Sequence, residues 1–155
     1  MAPSLRLKLL SIALLGAASA CDGLPKDPAH TTDTVRQRGE MQVGFVEGEP
    51  VDMQADMRAA EAHVAARHDV RVVSVTGSEA KLMRDLEDGR LDLVVGGFHE
   101  KTPWSKHVAL TAFYPKKPPA EKLGVRAATR LGENAWLLSV ERALADGKKA
   151  SESKE

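Results

Sequence analysis

Leu86-Glu87-Asp88-Gly89-Arg90-Leu91-Asp92-Leu93-Val94-Val95-Gly96-Gly97-Phe98, followed by Thr102-Pro103-Trp104, is the stretch whose reading decides the fold. A charged helix end stops at Gly89. Leu91 to Val95 is then a short apolar strand, broken only by Asp92, that runs into paired glycines. Strands of a parallel sheet are covered on both faces and read as near-continuous apolar runs. Ligands of open α/β sheets lie beyond the carboxyl ends of such strands. Glycine lets a backbone come close to a bound group at that point, and it serves equally well in a plain turn. The pattern predicts a buried strand that opens either into a binding rim or into a turn.

Outward from this run, strands and helices alternate. Thr34 to Arg38 reads as a helical turn closed by Gly39, and Met41 to Val46 as a strand. Met53, Met57, Ala60, Val64 and Ala65 form one buried stripe of a helix from Asp52 to Arg67. Val70 to Val75 is a second strand. Ser78 can cap a helix from Glu79 to Asp88, with Leu82, Met83 and Leu86 inward. Val108 to Phe113 and Lys122 to Ala128 read as extended segments. Gly132-Glu133-Asn134 opens a last helix through Ala145, anchored by Trp136, Leu137, Val140 and Leu144. Such alternation predicts an α/β three-layer sandwich with a mainly parallel sheet and right-handed crossovers.

Residues 1–20 read as a secretory signal. Arg6 and Lys8 give a positive start, and the apolar run from Leu9 to Ala18 is too short to span a bilayer as a stable helix. Ala18-Ser19-Ala20-Cys21 resembles a bacterial lipobox, although Ala18 stands where leucine is usual. The resemblance implies cleavage before Cys21 and a lipid on its thiol; the alternative is an ordinary signal cut near Ala20. Cys21 is the only cysteine, so an intrachain disulfide is excluded. Two or more acyl chains would anchor the protein stably to a membrane, whereas one alone would not. Asp22 resembles the residue that retains some lipoproteins at the inner membrane. Residues 21–33, polar with Pro25 and Pro28, read as a lipid-anchored linker. Residues 34–147 then form a single domain, and residues 148–155 a disordered, charged tail.

The full chain carries 22 basic and 22 acidic residues. Removal of the signal takes away Arg6 and Lys8 and leaves the rest slightly acidic, which argues against a nucleic-acid partner. His63 and His68 are five apart, the wrong spacing for one helix face. His99, Glu100 and His107 lack the tight spacing of a metal centre, so no metal is expected. No phosphate loop, nucleophile elbow or other cofactor motif is present.

With these elements in order, the residues resemble bacterial extracellular solute-binding proteins of the amino-acid-binding type. Arg38-Gly39-Glu40-Met41-Gln42-Val43-Gly44 is similar to their opening strand. Gly77-Ser78-Glu79, Leu82 to Leu86, Gly89 to Gly97 and Thr102-Pro103 are similar to the next two strands and their connection. Val108 to Tyr114 resembles the exit strand. The resemblance implies lobe 1 of a type II periplasmic binding protein. It also implies a small polar solute as ligand, and a transporter or sensor as partner. The departures matter as much. Pro115-Lys116-Lys117-Pro118-Pro119 stands where the crossover to a second lobe belongs, and the residues beyond resemble the return into lobe 1. In the family, Thr-x-x-Arg places an arginine fork on a ligand carboxylate; here Thr102 is kept and the arginine position is Ser105.

On this reading Phe45, Glu47, Gly97, Phe98, Thr102 and Trp104 surround a shallow ligand site. Glu49 lies beside Glu47 at the same strand end, where paired carboxylates suit an amine or a solvated loop. Trp104 suits packing or a ligand platform equally. One lobe covers only one side of a ligand, so a cover is expected from a second copy, making a clamshell homodimer, or from another protein. The alternative is a structural or interaction lipoprotein that has lost ligand binding. Enzymatic chemistry is not expected, although a few proteins of this fold are dehydratases.

Overall fold

The structure is a computed structural model that describes residues 25–119 and 122–153, so the signal and Cys21 lie outside the described residues. Its elements are α1 (Thr31–Arg38), β1 (Glu40–Val46), α2 (Val51–His68), β2 (Arg71–Gly77) and α3 (Glu79–Glu87). β3 (Leu93–Phe98), a 3-10 turn (Pro103–Lys106), β4 (Val108–Leu110), β5 (Gly124–Arg130) and α4 (Asn134–Glu152) follow. The strand order is β2-β1-β3-β5-β4. β1 pairs in parallel with β2 and β3, and β5 lies antiparallel to β3 and β4. Four strands therefore run one way and β5 alone runs against them, as a mainly parallel α/β sheet requires.

The sheet separates two apolar clusters. On one face Met41, Val43, Leu93 and Val95 pack with Met57 and Val64 of α2 and Trp136 and Val140 of α4. On the other face Val46, Val94 and Phe98 pack with Leu82, Met83 and Leu86 of α3. Trp136 is fully buried, and its indole N–H donates to the Asp92 carbonyl at 2.8 Å. A buried indole finds a partner in this way because an unmet donor is costly. Asp92 is buried too. Its carboxylate accepts from Gln42 N–H at 2.7 Å and pairs with Arg38, which ties the end of α1 to β1 and β3. Gly39, at φ +66, supplies the left-handed residue that stops α1 before β1 begins.

Several boundaries differ from the sequence reading. β3 starts at Leu93 and runs through Gly96 and Gly97, which pair with Arg126 and Val125 of β5. The ladder makes them strand residues, and crowding makes them glycines: a Cβ on Gly96 would lie 2.5 Å from Val46 Cγ2. β4 ends at Leu110; beyond it Tyr114 makes a single bridge to Val125. The last helix continues to Glu152, so most of the expected disordered tail is helical. Gly147 lets that helix lie against the His63 ring of α2, and Ser151 Oγ donates to Lys148 O near its end. α1 starts three residues early, at Thr31. The segment before it, read as linker, is fixed to α4. Lys26 O accepts from Asn134 N–H, Asp27 accepts from Trp136 N–H at 2.8 Å, and Glu133 accepts from Ala29 and Thr31 N–H at 2.7 and 3.0 Å. Among the described residues no helix is long and apolar enough to cross a membrane.

Candidate functional site

The register that sets Phe45 beside Val95 brings the residues following β1 alongside Gly97 at the carboxyl end of the sheet. Glu47 is exposed there and Glu49 is half-buried. Gly97 N–H donates to the Glu49 carboxylate at 3.0 Å. The bond depends on the missing side chain, because a Cβ on Gly97 would lie 2.7 Å from Glu49 Oε2 and 2.6 Å from Met53 Sδ. Close backbone approach is thus what the glycine provides, and the group that approaches belongs to this chain.

The remaining rim comes from the turn after β3 and the start of α3. Thr102 is buried, and its hydroxyl oxygen accepts from Trp104 N–H at 3.4 Å at the start of the 3-10 turn. Ser105 donates its hydroxyl to Thr102 O at 2.9 Å. Trp104 is half-buried against the α3 side of the core, and its indole N–H donates to the Glu79 carboxylate. That bond turns the indole toward the rim. Glu79 lies in the first turn of α3, where the helix dipole favours a negative charge.

Phe45 and Phe98 both sit at the strand ends and both are buried, on opposite faces of the sheet. Phe45 carries the Arg58 guanidinium over its ring at 4.0 Å, and Phe98 packs with the α3 cluster. Of the six residues read from the sequence, Glu47, the Gly97 backbone and Trp104 reach the rim. Phe45 forms the floor of a cleft beside it, and Phe98 and Thr102 shape the rim from within. The cleft, about 140 Å³, lies between the end of β1 and α2 and is bounded by Phe45, Glu47, Gln54, Arg58 and Thr76. Typical solute pockets are larger, about 300–1,000 Å³, so this one accepts a group rather than a whole solute.

The rim carries the carboxylates of Glu47, Glu49 and Glu79, with the Arg58 guanidinium in the cleft beside them. Burial holds the Glu49 carboxyl above its usual range; the Gly97 hydrogen bond opposes this and the Glu79 charge adds to it. A cation at the rim would offset the burial of that charge and its repulsion by Glu79. Sequence reasoning missed Glu79 and Arg58 as rim residues. Glu79 has the look of an ordinary helix start, and only the fold puts Trp104 against it. Arg58 looks like any solvated helix charge. Arg126, on β5, donates to Thr111 O at 2.7 Å, lies 5.0 Å over the Phe113 ring and is held below its usual pKa by burial. Among the described residues no group of three His, Cys, Asp or Glu is placed to hold a metal ion.

No protein-family model matches the chain, and no curated protein matches it either. Solved structures do. The arginine-bound form of domain 1 from TmArgBP, the T. maritima arginine-binding protein, matches with a TM-score of 0.62 at 21% identity. The match covers 74% of this chain and 98% of that one. An amino-acid transporter substrate-binding protein from Streptococcus pneumoniae, bound to L-arginine, matches with a TM-score of 0.61 at 11% identity, covering 78% and 93%. An ancestral amino-acid-binding protein, described as a precursor of cyclohexadienyl dehydratase, matches with a TM-score of 0.63 at 15% identity, covering 78% and 94%. At these identities the likeness concerns the fold. The chain has the fold of a single lobe, domain 1, of the amino-acid-binding type II periplasmic binding proteins.

Proposed function

We propose that this chain is a single-lobe relative of the amino-acid-binding solute-binding proteins, held in the bacterial periplasm by a lipid on Cys21. In this reading it presents one wall of a site for a small solute that carries a cationic group. A transporter or sensor supplies the other wall. The observation that carries the reading is the acidic rim. Glu47, Glu49 and Glu79 gather at the carboxyl ends of the strands, and Ser105 replaces the arginine that would hold a carboxylate. Two of the similar structures hold arginine, whose guanidinium suits such a rim. The reading is one of binding.

The tryptophans make the test direct, because Trp136 is fully buried and Trp104 stands at the rim. Arginine and simple amines should change the intrinsic fluorescence in a saturable way, neutral sugars and organic acids should not, and Trp104→Phe should abolish the signal. Silence across the whole panel, by fluorescence and by calorimetry, would sink the binding reading. A second reading rests on the same Glu49. Its carboxylate already holds the Gly97 N–H that a solute would use, as expected of a lobe retained as an interaction module. That module would return silence in the titration and still recover an envelope protein in crosslinking at the rim.

A further inference from the structure

β2 ends the sheet, and nothing among the described residues pairs with its outer edge. Arg71 N–H donates to Gly39 O, and Gly77 O accepts from Glu47 N–H, with unbroken register between. Arg71, Val73, Val75 and Gly77 therefore turn their backbone groups toward β1, and Val72, Ser74 and Thr76 turn theirs outward. Natural edges are normally blunted by charge, proline, a bulge or a covering element. From Val72 to Gly77 this strand has no charged residue and no proline, and its ladder with β1 has no bulge. Val72 packs against the core on the α2 side, Val73 to Thr76 are exposed, and β2 is held chiefly by β1. Val73 and Val75 stand on one face, 39% and 44% exposed.

The occupant is specified by the strand itself. Val72-Val73-Ser74-Val75-Thr76 is nearly palindromic about Ser74, because valine and threonine share one branched shape. A two-fold axis through Ser74 and normal to the sheet sets Ser74 opposite its symmetry mate, Val72 opposite Thr76 and Val73 opposite Val75. The outward amides and carbonyls of Val72, Ser74 and Thr76 then bond in reciprocal pairs. The Val73–Val75 contacts fall at the narrow pairs, where side chains approach most closely. Arg71 lies opposite Gly77, so no like charges meet. Such an interface is isologous, the commonest kind in homodimers. We propose that two copies of this chain pair antiparallel through β2, making one sheet continuous across both. The two rims then point in opposite directions and stay open, unlike those of a clamshell. The interface is small, so the dimer dissociates on dilution.

Sedimentation velocity tests this on the secreted chain carrying Cys21→Ser, which removes its only native thiol. The sedimentation coefficient should rise from monomer to dimer with concentration, and hydrogen exchange at Val72, Ser74 and Thr76 should slow in step. Val75→Lys changes an exposed side chain and keeps the ladder to β1. It should stay monomeric at every concentration with an unchanged melting temperature. Ser74→Cys should form a disulfide-linked dimer under mild oxidation, since directly opposed strand residues lie within bridging distance. A wild-type chain that is monomeric throughout, a Val75→Lys variant that dimerises as the wild type does, or a Ser74→Cys variant that does not crosslink would each overturn the proposal.

Discussion

Glu49 decides what the strand-end rim can do. Its carboxylate accepts the Gly97 N–H and sits near the Glu79 charge, and burial holds it above its usual pKa. Glu49→Gln keeps an oxygen for that hydrogen bond and removes one negative charge. Affinity for arginine should fall roughly two- to fivefold, the scale of a partly exposed ion pair, with the melting temperature unchanged or slightly raised. Calorimetry at fixed ionic strength checks this, and equal affinity for the two proteins would remove Glu49 from the site. Little of this was legible in the sequence. Gly96-Gly97 announced a close approach at the end of a strand, but a glycine cannot say what approaches. That Glu49 fills the space follows from the short path of Gly48 and Pro50 from β1 into α2. The partnership of Glu79 with Trp104 joins residues 25 positions apart, a distance over which local pattern carries no information.

At the scale of elements, the parts that could be read are those whose cause is local. Val43, Leu93, Val94 and Val95 are fully buried, and their continuous apolar character announced central strands. Gly39 and Gly89 have φ of +66 and +74, and both were legible as stops. Arg38 and Asp92 were recognisable as parts of a family pattern, and the structure supplies the reason: they pair across the start of the sheet. The two ends of the domain were misread because their partners are remote. Residues 26–31 look like a polar linker, and Glu133 looks like a surface helix start. In the fold, Glu133 is 2% exposed and accepts the amides of Ala29 and Thr31, 104 and 102 residues away. Removing the carboxylate would orphan those donors. Glu133→Ala should therefore cost about 2–3 kcal/mol, the range for losing charged hydrogen bonds to buried partners, and should speed hydrogen exchange through α1. Urea unfolding measures the loss, and a change within about 0.5 kcal/mol, the level of an ordinary surface substitution, would mean that the segment is not docked as described.

For the whole molecule, the junction of α1, α2 and α4 sets a dependence on pH. His68 is buried at the end of α2, with its ring 4.8 Å from that of Trp136. Nε2 meets Ser139 Oγ at 2.9 Å, and Nδ1 has no partner among the described residues. Burial, then the charges of Arg36 and Arg67, hold its pKa below the ordinary 6.5. The unfolded chain therefore binds a proton more readily than the folded one. Stability from this group is complete above about pH 6.5, its reference value, and declines as pH falls toward the lowered folded value. Carboxyls with raised pKa oppose this at lower pH. Glu49, Asp56 and Glu61 are all raised chiefly by burial, so the folded state gains stability from them as they protonate. The net curve mixes both signs, and a variant is needed to isolate His68. His68→Gln keeps a neutral partner for Ser139 and cannot take up the proton. Between pH 7.5 and pH 5 the wild type should lose more unfolding free energy than His68→Gln, with the difference confined to the range below about 6.5. Trp136 should report the same step, because an imidazolium beside it quenches its emission, and Trp104→Phe leaves Trp136 as the only tryptophan. Parallel stability curves for the two proteins would show that His68 keeps its ordinary affinity for the proton, and that the junction is open enough to solvate the charge.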